Sequence, residues 1–289
     1  MSELAPLFIA EVSSNHGQDI SRAKEFIRTS KEIGCDAVKF QLFKIDQLFS
    51  PEILEKSAEH RNRRAWELPT DFLPELSEYC HQLGMQFTCT PFYLEAVAEL
   101  LPYVDFYKIA SYELVWDDLI IACAKTGKDL VLSTGMATLE EIKHAVQVFT
   151  QHSEAKLTLL HAISGYPTPI NEANVKAINT LQGNFSCEVG LSDHSVSPAV
   201  LLRAVHKWGA TAIEFHLDID GKGEEFAAGH CWLPDAIKDT ISLIKDGFIA
   251  DGTGIKIAAP SEQADRLWRA DPSDGLRPFK EIRDSFESA

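Results

Sequence analysis

Short apolar runs alternate with longer amphipathic stretches along most of this chain. The runs near 7–13, 38–43, 86–90, 106–110, 129–133, 157–162, 187–191 and 212–217 are predicted strands. Segments near 20–33, 70–83, 93–101, 116–126, 138–150, 171–182, 197–208 and 234–246 are predicted helices. In 20–33, Ile20, Ala23, Phe26, Ile27 and Ile33 recur close to every 3.6 residues, which makes one face apolar. Gly34, Gly84, Gly127 and Gly209 each follow a predicted helix and precede a strand, where a left-handed residue ends a helix. This repeated unit predicts an α/β fold of the closed (β/α)8, or TIM-barrel, type rather than an open doubly wound sheet. No Gly-x-Gly-x-x-Gly turn follows the first strand, which argues against a dinucleotide site.

Composition sets outer bounds. A barrel of about 250 residues fits the 289-residue chain, with 1–250 as the barrel and 251–289 as a tail packing on it or on a partner subunit. A net charge of −16 speaks against a nucleic-acid partner, although a few converging cations still suffice for a small anion. No apolar run reaches the roughly 20 residues that cross a bilayer, and the N-terminus lacks a signal-peptide layout, so a cytoplasmic protein is expected. Cys35, Cys80, Cys89, Cys123, Cys187 and Cys231 form no CxxC pair and are expected to be reduced, mostly in the core. Cys231, beside His230 in a polar loop, is the one whose core placement is open.

Polar groups close the apolar runs at five places: Glu11, Lys39 with Gln41, Lys108 with Ser111, Ser192-Asp193-His194, and Glu214 with His216. Barrel enzymes gather catalytic groups at the carboxyl ends of their strands. His194 and His216 close consecutive strands and form a candidate pair of ligands for a divalent metal, with Glu11 as an oxygen donor and Asp193 or Glu214 as groups that orient them. Ordinary hydrogen-bonded histidines are the bland alternative. Lys39 and Lys108 sit inside apolar strands, where an unpaired ammonium is costly. A bound carboxylate or phosphate explains them, with Ser111, Ser133, Thr134 and Gly135 as further donors. A Schiff-base role, or a buried salt bridge to Glu11 or Asp193, explains them as well. Asn15-His16 and Tyr166-Pro167-Thr168-Pro169 either shape the pocket or only form turns. The long stretch 44–69 is either a rim over the site or a solvated insertion.

Together these segments resemble the sialic acid synthase family, the phosphoenolpyruvate-condensing sugar-acid synthases. The resemblance rests on Glu11 and Asn15-His16, Val-Lys-Phe-Gln at 38–41, Thr-Pro-Phe at 90–92 and Lys-Ile-x-Ser at 108–111. Ser-Thr-Gly-Met at 133–136, Ser-x-Tyr-Pro-Thr-Pro at 164–169, Ser-Asp-His at 192–194 and Glu-x-His at 214–216 follow in the same order. It implies a TIM-barrel enzyme, a transferase that condenses phosphoenolpyruvate with an N-acylated hexose such as N-acetylmannosamine, or a related aldose, to a 2-keto sugar acid and phosphate. It implies that His194 and His216 bind Mn²⁺, with Mg²⁺ or Co²⁺ as alternatives. Lys39, Lys108, Ser111, Ser133 and Ser192 are then expected to hold phosphoenolpyruvate. Glu11 sits beside the reacting carbons, and Asn15, Gln41, Thr90, Phe92 and Tyr166 line the pocket. A homodimer is expected by the same resemblance.

The chain departs from the family pattern in three places. Members usually carry a C-terminal antifreeze-like domain, and this sequence stops where that domain would begin, so a separate capping protein is a candidate partner. The usual Lys between Glu214 and His216 is Phe215, and the usual Gly-Pro-Asp-His reads Ala227-Ala228-Gly229-His230. The expectation is an intact phosphoenolpyruvate and metal half with an altered acceptor half. A Schiff-base aldolase and a non-catalytic sugar-acid-binding or accessory subunit are the rival readings.

Overall fold

The computed structural model describes residues 5–286. Eight parallel strands run β1 (Leu7–Glu11), β2 (Ala37–Leu42), β3 (Gln86–Pro91), β4 (Phe106–Ile109), β5 (Leu130–Ser133), β6 (Leu157–Ala162), β7 (Glu188–Asp193) and β8 (Ala212–Leu217). Each pairs with the next and β1 pairs with β8, so the sheet closes into a (β/α)8 barrel. A two-residue strand, β9 (Cys231–Trp232), adds to β8 in parallel and was not anticipated from the sequence.

The barrel interior explains how the site is positioned. Ile9, Ala37, Phe106, Val131, Leu160 and Ala212 pack together as an apolar plug. Side chains two residues apart on a strand face the same way. Two residues on from five of these plug positions stand Glu11, Lys39, Lys108, Ser133 and Glu214, and Ser192 follows Gly190, the Cα partner of Leu160, by the same step. Each of these strands therefore places one apolar residue in the plug and one polar residue above it. Gly190 is the exception that fits, because a Cβ there would meet the backbone of Ala212 and the side chain of Leu160.

The helices follow the apolar periodicity with local changes. Asp19 caps the helix Ile20–Glu32 by accepting from the backbone of Ser21 at 2.8 Å. Gly34, Gly84, Gly127 and Gly209 all have positive φ, as the helix-ending role requires. The helix expected at 171–182 begins only at Ala177 and runs to Asn184, because a short turn over Ile170–Glu172 precedes it. The helix expected to stop at 246 continues to Asp251. Gly247 lies inside it because a Cβ there would sit 2.5 Å from the His206 ring. No helix among the described residues is long and apolar enough to cross a membrane.

Contacts divide the chain into two compact units, Met1–Phe248 and Ile249–Ala289. The second has little regular structure beyond short helices such as Gln263–Arg266 and Lys280–Ser285. Arg283 donates two bonds to Asp274 at 2.7 and 2.9 Å there. All six cysteines are free thiols, and all but Cys187 are buried.

Candidate active site

A cavity of about 720 Å³ opens at the carboxyl end of the barrel, within the range that holds a small-molecule substrate. Lys39, Gln41, Phe92, Lys108, Ser111, Ser133, Tyr166, Ser192, His194 and His216 line it together. Glu11 and Thr90, both fully buried, lie behind the lining, where each touches Lys39. Asn15 turns toward the end of β8, donating to the Leu217 carbonyl at 3.1 Å.

The floor is a network of paired charges. Lys39 is ion-paired with Glu11 and stands 3.7 Å from Glu214. Glu11 also accepts from Gln41 at 2.9 Å and from the Ser13 backbone at 2.8 Å. Burial works against the charge of Lys39, but Glu11 and Glu214 more than offset it and its ammonium is favoured. Lys108 is less well served. It lies 3.6 Å from Glu214 and donates to the Ile109 carbonyl at 3.2 Å. Burial, and to a lesser degree the neighbouring Lys39, bring its ammonium down to about 8, against the pull of Glu214. Burial alone would raise the Glu214 carboxyl; Lys108, Lys39 and the Ser192 hydroxyl, which donates at 3.0 Å, hold it below the usual carboxylate range.

The salt-bridge alternative for Lys39 is therefore realised with Glu11, and not with Asp193. Asp193 neither pairs with a lysine nor orients a histidine. It accepts from Ser195, Val196 and the Trp232 indole at 3.0 Å, which fixes the turn after β7.

Beside Lys108 lies a cradle of hydroxyls. The Gly135 backbone donates to Ser111 at 3.0 Å, and a Cβ on Gly135 would collide with the hydroxyls of Ser111 and Ser164. The hydroxyls of Ser133 and Ser164 are buried without a hydrogen-bond partner, an arrangement native proteins avoid unless a ligand or water completes it. Ser164 was not singled out from the sequence, although it opens the Ser-x-Tyr-Pro-Thr-Pro segment. Glu113 also went unnoticed. It lines the cavity, and burial raises its carboxyl to about 7 against the pull of Lys108.

The opposite wall is built from histidines. The rings of His194 and His216 lie 5.3 Å apart, and Tyr166 stacks 4.2 Å from His194. His194 directs Nδ1 at the Ile163 carbonyl, 2.8 Å away, which places the ring proton there and leaves the Nε2 lone pair free. Burial, then the nearby His216, bring its imidazole down to about 3, so it is neutral at physiological pH. His216 Nδ1 meets Glu225 Oε2 at 2.8 Å. Burial disfavours its charge, but Glu225 more than offsets this and the imidazolium is favoured.

His216, Glu225, His230 and Cys231 bring their ligand atoms within 4.8 Å of one another. His230 Nδ1 is buried without a partner. Imidazole, carboxylate and thiol donors gathered in this way fit a divalent metal. Glu225 had no sequence signal beyond an acidic pair at 224–225.

The stretch 44–69 forms part of the mouth, since Ile45, Leu48, Phe49, Arg63 and Trp66 line the cavity. Gln18 ties it down by donating to the carbonyls of Arg64 and Glu67, each at 3.0 Å. His16 serves the turn, accepting from the Gln18 backbone at 3.0 Å.

The NeuB family profile matches residues 26–256. The N,N'-diacetyllegionaminic acid synthase of Campylobacter jejuni is 35% identical over 272 residues, covering 89% of this chain and 80% of that protein. The N-acetylneuraminate-9-phosphate synthase of Mus musculus is 31% identical over 273 residues, covering 90% and 75%. The crystal structure of an N-acetylneuraminic acid synthetase from Leptospira borgpetersenii, in complex with citrate, superposes with a TM-score of 0.79 at 28% identity and covers 90% of each chain.

Proposed function

Because this chain belongs to the NeuB family, we propose that it condenses phosphoenolpyruvate with the aldehyde of an N-acylated hexose or related aldose, giving a 2-keto sugar acid and phosphate. The observation that carries this reading is the pair of buried ammonium groups, Lys39 and Lys108, on one cavity with the unpartnered hydroxyl of Ser133. That floor suits a small molecule with two anionic ends.

In the net reaction, C3 of the enol phosphate forms a bond to the aldehyde carbon, and the aldehyde oxygen gains a proton. Water adds at C2, the C2–O bond breaks and phosphate leaves with the bridging oxygen; the water oxygen becomes the keto oxygen, and its two protons end on the former aldehyde oxygen and on phosphate. Lys39 and Lys108 hold the carboxylate and phosphate of the donor, and Ser111, Ser133 and Ser192 fix its orientation. Glu11 keeps Lys39 and Gln41 in place from behind. Glu113, poised near neutrality, is suited to exchange a proton with the cavity. Phe92 and Tyr166 shield the reacting carbons from bulk water. At the histidine wall His194 and His216 would hold a divalent ion, with manganese the expected one, and that ion would supply Lewis acidity for the aldehyde.

The test is phosphate release from phosphoenolpyruvate, with Mn²⁺, against a panel of N-acylated hexoses and simpler aldoses. Turnover with one sugar is expected and identifies the acceptor. Tight phosphoenolpyruvate binding with no release across the panel would leave the chain a binding or accessory protein.

One observation favours a second reading. Lys108, brought down to about 8, has part of the nucleophilic character that a Schiff-base lysine needs. Borohydride trapping of a pyruvate adduct on Lys108 would support it, and complete loss of activity in EDTA would count against it.

A further inference from the structure

Among the described residues, Lys39, Lys108 and Arg63 are the lysines and arginines that line the cavity, and of these Arg63 stands outside the donor floor. It reaches the mouth from the stretch 44–69, on a short turn over Arg63–Trp66 that follows the helix Ala58–Asn62. The turn is pinned on several sides. Ser57 caps the helix by accepting from the His60 backbone at 3.3 Å, Arg64 pairs with Asp46, and Glu67 accepts from the Ile45 backbone at 2.7 Å. Aromatic rings flank the Arg63 guanidinium, whose carbon lies 5.7 Å from the centre of the Phe49 ring and 5.2 Å from that of Trp66. The His60 ring in turn meets Phe49 edge-on at 4.6 Å. Arg63 is therefore placed by its surroundings and does not wave freely over the site.

Its hydrogen bonds are incomplete. Nη2 donates to Glu59 at 3.1 Å, but Nε is buried without a partner. Native structures rarely leave such a donor unused away from water, and an oxygen entering the cavity would complete it. The surroundings narrow the chemistry of that oxygen. Glu59 already answers the charge of Arg63, and Glu224 and Glu225 place carboxylates on the same cavity. A second anion at the mouth would gain little from Arg63 and be repelled by those carboxylates. Phe43, Ile45, Leu48, Phe49 and Phe92 make the rest of this side apolar, with the Phe43 and Phe92 rings edge to face at 5.9 Å. One N–H donor beside an apolar surface suits a neutral carbonyl that carries a methyl group. An acylamino substituent has that form. A hydroxyl lacks the apolar part, and a phosphate lacks it and adds charge.

We infer that Arg63 selects the acceptor: its Nε–H donates to the carbonyl oxygen of an acylamino substituent, whose methyl group rests on the apolar lining of Phe43, Ile45, Leu48 and Phe49. An uncharged acylamino sugar is then a better acceptor than its phosphate ester. This inference rests on the reading of the cavity as the place where phosphoenolpyruvate meets a sugar, and it assigns the stretch 44–69 the task of reading that sugar.

The test compares matched sugars, N-acetylmannosamine with mannose and N-acetylglucosamine with glucose, in the unmodified protein, Arg63→Met and Arg63→Lys. Phosphate release gives kcat/KM for each, and equilibrium titration gives phosphoenolpyruvate affinity. The unmodified protein is expected to favour the acetylated member of one pair. In Arg63→Met that preference should fall at least about tenfold, the scale of a hydrogen bond from a charged donor, through KM for the sugar and with phosphoenolpyruvate affinity unchanged. Arg63→Lys, which keeps the charge but not Nε, should not restore it. A role confined to holding the loop would weaken both members of a pair alike, so a preference that survives Arg63→Met would overturn the assignment. Faster turnover of N-acetylmannosamine 6-phosphate than of N-acetylmannosamine would overturn the neutral acceptor. Should the unmodified protein turn over no sugar, calorimetric titration of the same pairs into protein saturated with phosphoenolpyruvate reads the same preference. An acetyl preference lost in Arg63→Met would then uphold the acyl subsite although the synthase reading had failed, and no preference would overturn both.

Discussion

The two walls of the cavity are built by different means. The floor comes from inside strands, where Glu11, Lys39, Lys108, Ser192 and Glu214 stand above the apolar plug and answer one another's charge. The histidine wall comes from strand ends and the loops beyond them. Glu225, His230 and Cys231 reach it only because the chain doubles back after β8. A charge in the floor is part of the fold's own electrostatic balance. A ligand in the wall is balanced largely by whatever binds there. Mutations in the two regions should therefore separate stability from binding.

The largest effect expected is Lys39→Met. It preserves side-chain volume but strands the fully buried Glu11 carboxylate. Removing one partner of a buried pair costs about 3–5 kcal/mol. Urea denaturation at neutral pH should show a loss of that size. The matching change in the wall, His194→Ala, removes a neutral ring with one bond to the Ile163 carbonyl, and about 1–2 kcal/mol is expected. Equal losses at the two positions would dissolve the distinction.

His216→Ala comes next. It should keep the fold and lower divalent-metal affinity by more than about tenfold, the scale at which even groups around a ligand act. Calorimetric titration with the metal, alongside melting in metal-free buffer, checks it. A large fall in melting temperature without metal would make His216 a structural partner of Glu225 instead of a binding residue.

The same contrast explains how much was legible in the sequence. A polar residue two positions beyond an apolar plug residue leaves a mark in the strand pattern, so Glu11, Lys39, Lys108 and Glu214 could be named before any fold was known. The closing glycines marked the helix ends because their φ values are positive. Loop geometry leaves no such period. Asn15 follows β1 as a pocket residue should, yet its amide serves Leu217 and Cys231. Glu113, Ser164 and Glu225 depend on where a turn delivers them. Arg63 enters the cavity only because 44–69 folds over the mouth, with its guanidinium 5.2 Å from the Trp66 ring. The helix predicted near 234–246 runs on through Gly247, whose reason, the His206 ring, lies on another helix.

A pH series sharpens the floor further. Lys108 is brought down to about 8, so in the ligand-free protein its ammonium is held below that pH and lost as pH rises through it. A phosphate monoester, with a second pKa of about 6, is fully ionised over that range. Phosphoenolpyruvate affinity should therefore weaken from pH 7.5 to 9.5, approaching tenfold per pH unit where Lys108 alone titrates. A flat profile by equilibrium titration would remove Lys108 from the anion's neighbourhood.

The smallest effect expected belongs to Glu113. Burial raises its carboxyl to about 7, with Lys108 pulling the other way. Below that pH it is a neutral group on the cavity wall. Above it, the new carboxylate stands in the field of Lys108 and repels an incoming anion. At an effective dielectric suited to a partly open site this is worth up to about 1 kcal/mol, or about fivefold in affinity. Glu113→Gln keeps the shape and removes the titration. The variant should bind phosphoenolpyruvate as the unmodified protein does at pH 6.5 and better than it at pH 8, with a flatter profile between. If both proteins lose affinity in parallel over that interval, the titrating group lies elsewhere and the Glu113 carboxyl contributes only packing. A flattened profile would place a proton-exchanging carboxyl beside the anion floor, on a loop whose sequence gave no hint of it.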